Sequence, residues 1–282
     1  MTAALIIALC AAALGGWASV AQQRVASSVP VEAGGFGHLL GRVARSPLWL
    51  AAFLATGVGF LLHAWALGEG NLLAVEPVAS TALLFALAIG SWWAHERLPV
   101  GVWGPAFLLV AGLATFLVAG DPTGGDQDAP LLRWVVALII ILAIVVVLSS
   151  YAFRGRGTRR ALSLGFVSGI LFGVVASLTK AVTLDFGSGI ADDLTNWKLW
   201  LLLASGIAAF LLQQSAFQSG SIPLVLPAAS VMPPITAAAV AILVLDSSLD
   251  LSGLRALWIA LAVVAMIGGL IAIARVEAGR MQ

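Results

Sequence analysis

Charge is scarce in this 282-residue chain: Asp, Glu, Lys and Arg supply 10% of it, against 61% hydrophobic residues. That is too little polar surface to cover a soluble globule, and the mean hydropathy of +1.07 points to lipid as the solvent. Cysteine is nearly absent. The lone Cys10 excludes an internal disulfide and a cysteine-built metal cluster. The bulky Leu9 before it stands where a lipoprotein signal needs a small residue, so Cys10 reads as a packing thiol. Phosphate loops, Walker motifs and dinucleotide fingerprints are missing, which leaves ATP-driven pumping without a basis. No histidine and cysteine cluster has metal-ligand spacing. The chain also lacks a set of catalytic residues on an external domain. It therefore reads as a non-enzyme, with no cofactor, resident metal or nucleic-acid partner expected.

What the chain does have is long apolar runs. A helix needs about 20 such residues to cross roughly 30 Å of hydrocarbon. Nine stretches meet that need: Thr2–Ala21, Pro47–Leu67, Leu72–Ala94, Gly101–Ala119, Leu131–Tyr151, Ala161–Val182, Trp197–Ser215, Ile222–Leu245 and Leu254–Ala274. The unbroken run from Leu138 to Leu148 is the opposite of the alternation a membrane barrel requires. The first stretch has no positive segment before it and is long enough to span, so it reads as a helix rather than a signal peptide. The expected fold is an all-α polytopic membrane protein of nine transmembrane helices in a single domain covering residues 1–282.

Loop charges set an expected orientation. One set of loops carries Arg24, Arg42 and Arg45, then Arg97, then Arg154, Arg156, Arg159 and Arg160, and finally Arg275 and Arg280. The other set is acidic, with Glu69, Asp121, Asp126, Asp128, Asp185, Asp192, Asp193, Asp246 and Asp250. Positive loops are retained in the cytoplasm, so the reading is a multi-pass protein of the cell membrane, N-terminus outside and C-terminus cytoplasmic. The 22–46 segment is a basic cytoplasmic loop. Within it, His38–Arg45 has apolar and basic faces, either an amphipathic helix on the inner leaflet or an ordinary basic loop.

Shifting the chain by 150 residues lays Ala66–Ser80 on Ala216–Ser230. Gly70 then meets Gly220, Val75 meets Val225, Pro77 meets Pro227, Ser80 meets Ser230, and Glu96 falls on Asp246. A weaker match lays Ala18–Gln22 on Ala176–Lys180. The third span runs inward and the eighth outward, so the two repeats, about 1–120 and about 131–275, are inverted. Proline-interrupted helices at matching positions of inverted repeats point to a transporter's binding site.

The residues that bear a resemblance are now in hand. The Ala-Leu…Gly…Val-x-Pro pattern, followed by a span closing in Ala94-His-Glu-Arg-Leu98, resembles the drug/metabolite transporter superfamily, where the corresponding helix ends in Gly-Glu-Arg-Leu. Nine spans in place of the usual ten is similar to the NIPA-like magnesium transporter branch. The segments Gly165…Gly173–Lys180 and Gln213–Gly220 resemble that branch and its EamA-like, high-GC bacterial relatives. The likeness covers nearly the whole chain but rests on spaced small residues. Asp246 replaces the usual Glu of the second repeat, and Glu76 replaces a neutral Thr or Gln. The resemblance implies a secondary transporter working by alternating access. Its substrate is then a small metabolite or drug-like organic solute or, in the NIPA reading, Mg²⁺ or another divalent cation. A lipid-handling or scaffolding subunit is the non-transport reading, and a homodimer is left open.

The candidate site residues follow from cost in lipid. Glu76 sits about five residues into the third span, roughly 7–8 Å below its outer end, and a buried carboxylate marks a pathway or a paired charge. Lys180 lies at similar depth near the outer end of the sixth span, so Glu76 either pairs with it structurally or binds a cation or proton as the site alternates. Histidine is the side chain suited to proton exchange near neutral pH, so His63 reads as a coupling group or a hydrogen-bonded packing residue. Ser80, Ser177, Ser230 and Gln213 are the remaining polar groups expected around an apolar pocket. Pro77, Pro227, Pro233 and Pro234 are expected to break their helices and free carbonyls. Gly165, Gly169, Gly173 and Ser177, four apart, read as a close-packing seam.

Overall fold

The computed structural model describes residues 2–30, 35–69, 75, 78–95, 98–119, 129–185, 194–244 and 254–280, with backbone alone at 35, 36, 67, 68, 180, 183–185, 278 and 280. Ten helices make up the described residues: α1 Thr2–Ser27, α2 Gly35–Val43, α3 Pro47–Glu69, α4 Ala82–Ala94, α5 Val100–Ala119, α6 Leu131–Arg154, α7 Gly157–Asp185, α8 Trp197–Ser219, α9 Ile222–Leu243 and α10 Arg255–Arg280. No strand occurs among them. Eight of these helices are long and apolar enough to cross a bilayer, and the chain is a multi-pass membrane protein. Of the third expected span, Leu72–Ala94, residues 75 and 78–94 are described, and the 13-residue α4 covers its second half.

Side-chain contacts fix the helix directions. Gln22, near the end of α1, donates to Thr56 of α3, and the later Gly59 of α3 lies against the earlier Ala11 and Gly15 of α1, so these two are antiparallel. Gly16 and Gly90 bring α1 and α4 together in parallel, and Gly165, Gly169 and Gly173 do the same for α7 and α9. Gly112 and Gly269 pair α5 with α10 antiparallel. One end of the bundle therefore gathers the last turns of α1, α4, α8 and α10 with the first turns of α3, α5, α7 and α9.

Burial is uneven, and hydropathy explains why. The apolar window of α7 is 67% buried and that of α6 only 11%, so α7 is the central helix and α6 lies outermost. Leu132, Ile139 and Val147 on α6 are exposed apolar side chains, as a lipid-facing helix requires. The main core collects Leu87, Leu109, Leu164, Phe217, Leu224 and Met266 from α4, α5, α7, α8, α9 and α10.

Two expectations are corrected. Pro227, Pro233 and Pro234 do not break α9, which continues through all three. Each proline removes its own N–H and presses its ring on the carbonyl four residues back, but its fixed φ is compatible with a helix. Packing over the 56% buried window of α9 holds the rest of the hydrogen-bond ladder in place. The local loss is visible against α7: Pro233 deprives the Ala229 carbonyl of its partner four residues on, and a Cβ at Gly169 would lie 2.7 Å from that oxygen. Of the two readings left open within the 22–46 segment, the structure has the helix, and only the boundary of the first span is corrected. Helix α1 runs on to Ser27, and α2 covers most of the amphipathic segment, with Leu39 and Val43 buried.

Candidate functional site

A cavity of about 220 Å³ opens among the helix ends gathered at this side of the bundle, lined by α1, α4, α9 and α10. Its polar wall is built from Gln23, Arg24, Ser91, Ser221 and Glu277, and Trp93 and Leu87 contribute to the apolar wall. Glu277 is the defining group. Its residue is 4% exposed, a costly place for a carboxylate unless it is hydrogen-bonded. The helical stripe Met266, Leu270, Ile273 and Glu277 faces inward along α10, and the acid is its last member. Ser221, the N-cap of α9, spends its hydroxyl on Glu277, donating to Oε2 at 2.7 Å. The carboxylate thus sits beside the N-terminus of α9.

Arg24 supplies the opposite charge. Its Nη1 donates to the Trp93 carbonyl at 3.2 Å, and its guanidinium lies 5.2 Å from the centroid of the Trp93 ring. Gln23 is held by its own bond, from Nε2 to the Gly220 carbonyl at 3.1 Å. Helix α4 stops beside this wall because His95 takes a left-handed conformation at φ 55°, its N–H closing on the Ser91 and Trp92 carbonyls.

Next to the cavity, α1, α3 and α8 are tied by a buried polar chain. Trp49 Nε1 donates to Gln214 Oε1 at 3.0 Å, Gln214 Nε2 to Gln22 Oε1 at 2.8 Å, and Gln22 Nε2 to Thr56 Oγ1 at 2.9 Å. Thr56 in turn donates to the Ala52 carbonyl at 3.0 Å. Phe53 and Phe210 pack on Trp49 at centroid distances of 5.6 and 5.9 Å and shield the chain from the lipid side.

The expected site residues are scattered. Glu76 and Pro77 lie outside the described residues, and Lys180 falls on α7 with its side chain likewise outside them. His63 is half-buried near the far end of α3, away from the cavity, and Ser80 is half-buried in the turn before α4. Ser177 is buried but donates to the Gly173 carbonyl at 3.0 Å within its own helix. Ser230 and Gln213 are half-buried on α9 and α8. Among the described side chains, His63, Ser80, Ser177, Ser230 and Gln213 are not part of the cavity wall. Sequence reasoning missed Glu277 because it ended the last span at Ala274. The usable signal was the four- and three-residue spacing that puts this acid on the stripe of Met266, Leu270 and Ile273. Among the described residues no three His, Cys, Asp or Glu side chains come together.

The chain is 30% identical over 276 residues to the uncharacterized protein Cgl0250/cg0304 of Corynebacterium glutamicum, covering 96% of this chain and 94% of that one. It belongs to the family of that protein. No family model and no solved structure matches it.

Proposed function

We propose that this protein is a nine-span secondary transporter that moves small organic solutes across the cell membrane by alternating access, with the Gln23–Glu277 cavity as its cytoplasmic vestibule. The observation that carries the reading is the buried Glu277 carboxylate facing a cavity in a bundle whose interior is otherwise largely apolar. Ionisable groups inside membrane bundles are expensive and mark substrate or ion paths by default. The cavity is smaller than the roughly 300–1,000 Å³ of drug-sized pockets, which favours a small solute. Helix packing supports inverted repeats: α1 packs on α3 and α4 as α7 packs on α8 and α9. In this reading α4 is the inner part of the third span, and the likeness to the drug/metabolite transporter superfamily reflects shared descent. The cavity end carries Arg24, Arg154, Arg156, Arg159 and Arg275, which makes it the cytoplasmic end by the positive-inside rule.

Two measurements test this. In a Cys10→Ala background, Arg156→Cys is expected to react with a membrane-impermeant maleimide from the cytoplasmic side only, and Thr195→Cys from the outside only. Labelling of both from one side overturns the topology and the inverted repeat together. In proteoliposomes, flux of small organic solutes is expected to fall at least about tenfold on Glu277→Gln, as loss of one charged-group contact implies. Magnesium is the comparison solute, because Glu277 offers it one of the one or two carboxylates it usually takes. Absence of flux for every solute would return the chain to a scaffolding role.

A further inference from the structure

Helices α6 and α7 meet at a corner that carries Arg154, Arg156, Arg159 and Arg160, and no Asp or Glu occurs between Asp128 and Asp185 to offset them. Only 11% of the apolar window of α6 is buried, so this corner borders lipid. Residues seven apart lie close to one line along a helix. Ile140, Val147 and Arg154 form such a line, the two apolar members 49% and 66% exposed and Arg154 exposed beyond them. From Arg154 to Ile140 the line runs about 21 Å at roughly 1.5 Å per residue. That is deeper than one leaflet of a hydrocarbon core roughly 30 Å thick.

Two aromatic rings flank that line. Tyr151 and Phe153 are exposed and two residues apart, roughly 200° around the helix, and the buried Ala152 marks the inner side between them. The Arg159 guanidinium lies 5.0 Å from the centroid of the Tyr151 ring, and that of Arg160 lies 5.6 Å from the Phe153 centroid. Stacking uses the face of a guanidinium and leaves the donors in its plane, the fork that suits a phosphate. The stem of Arg159 is held as well: Gly155 ends α6 so close to it that a Cβ there would lie 3.0 Å from Cδ. We propose that this corner binds an anionic phospholipid, its phosphate on Arg154 and Arg159 and an acyl chain along Val147 and Ile140, with Arg156 adding charge from the turn. Charge and shape select that occupant together. A zwitterionic lipid brings an ammonium into the same basic cluster and gains less, and a soluble anion gains nothing from the apolar line. None of these residues lines the cavity, so the site stands whether or not the chain carries solutes.

The test places a fluorophore on the apolar line. In the full chain with Cys10→Ala, bimane is attached at Val147→Cys. Vesicles of equal parts phosphatidylglycerol and phosphatidylcholine are made with brominated acyl chains on one lipid and then on the other. The ratio of the two quenching efficiencies gives the preference for the anionic lipid at that spot. The expected preference is at least about fivefold, the factor that one basic residue contributes beside an anionic headgroup. Arg154→Gln and Arg159→Gln should each lower it to about twofold or less. A second probe at Leu61→Cys, exposed on α3 nearer the other end of the bundle, should show no preference. Arg45→Gln removes an exposed charge from the same end as the corner and should leave the value at Val147 unchanged.

A preference at Val147 no greater than at Leu61 overturns the proposal. So does a loss on Arg45→Gln equal to that on Arg154→Gln, which would assign the effect to the diffuse surface potential rather than to a site. Preference abolished by inorganic phosphate at constant ionic strength would assign the arginines to a soluble anion and overturn the lipid reading too. Should Arg154→Gln or Arg159→Gln fail to fold, judged by gel filtration, Arg156→Gln in the turn outside both helices carries the test with the same expected direction of loss. An unchanged preference in that variant then counts against the site.

Discussion

Alanine at Gly169 or Gly173 is expected to cost the folded bundle about 2–3 kcal/mol, the upper part of the range for overpacking, while alanine at Gly15 or Gly268 costs nothing measurable. The difference lies in what a Cβ would meet. At Gly169 it would lie 2.7 Å from the Ala229 carbonyl oxygen, and at Gly173 it would lie 2.5 Å from Thr236 Cβ and 2.7 Å from the Pro233 oxygen. Backbone cannot swing aside as a side-chain end can, so α7 and α9 must separate along their whole seam. Apolar side chains gain little by leaving lipid for protein, so close van der Waals packing is what holds such a seam together. Gly15 and Gly268 have nothing within 4 Å, whereas their neighbours Gly16 and Gly269 would press on the Ala82 and Pro105 carbonyls at 2.9 and 2.7 Å. Adjacent pairs thus supply internal controls. Unfolding midpoints in detergent, measured for the six alanine variants, check this. A Gly169→Ala protein that unfolds with the wild type, or a Gly15→Ala protein that does not, would remove the seam from the account of stability.

Much of this architecture was legible because lipid leaves a chain few choices. Apolar runs of spanning length announced α1, α3 and α5 to α10, and the four-residue glycine spacing announced a close-packing seam on α7, though not that α9 fills it. Boundaries were less legible. The sequence reading stopped α1 at Ala21 and α10 at Ala274 where polar residues begin, yet both helices run on, because Gln22 and Glu277 find partners inside the bundle rather than in water. The prolines misled for a related reason. Proline predicts a local defect, but whether a helix breaks there depends on the neighbours it packs against, and α7 lies along α9 at that point. The candidate site was the least legible part. A carboxylate within an apolar run, such as Glu76, stands out by composition, whereas Glu277 lies just past the run and is recognised only by its helical phase. The division of labour between Gln23 in the cavity wall and Gln22 with Gln214 in a buried chain depends on the relative rotation of α1 and α8, which no local pattern encodes.

Replacing Gln214 by leucine is expected to destabilise the bundle by about 2 kcal/mol, through the groups it orphans rather than the bonds it loses. Leucine fills a similar volume, but the Trp49 indole N–H and the Gln22 carbonyl oxygen are left without partners at a fully buried position. Each orphaned group costs about 1–3 kcal/mol. The sum is held to the lower end because polar groups in lipid find alternative partners when a bundle loosens, and individual bonds there average about 0.6 kcal/mol. The same reasoning fixes the double variants. Trp49→Phe removes the indole donor, so Trp49→Phe with Gln214→Leu should cost at least about 0.5 kcal/mol less than the sum of the two single changes. Strict additivity in unfolding titrations would show that the chain of bonds contributes no coupling. The network also joins α1 to α8. Under the proposed repeat its counterpart would join α7 to α3, and no comparable contact joins those helices among the described residues. Under the proposed alternating access, an interaction present at one end of an inverted pair and missing at the other would stabilise one of the two states. Gln214→Leu is therefore expected to raise maleimide labelling of a cysteine at Gln23 from the cavity side several-fold, beyond any change in global unfolding. Labelling that rises only in proportion to unfolding would reduce the network to packing.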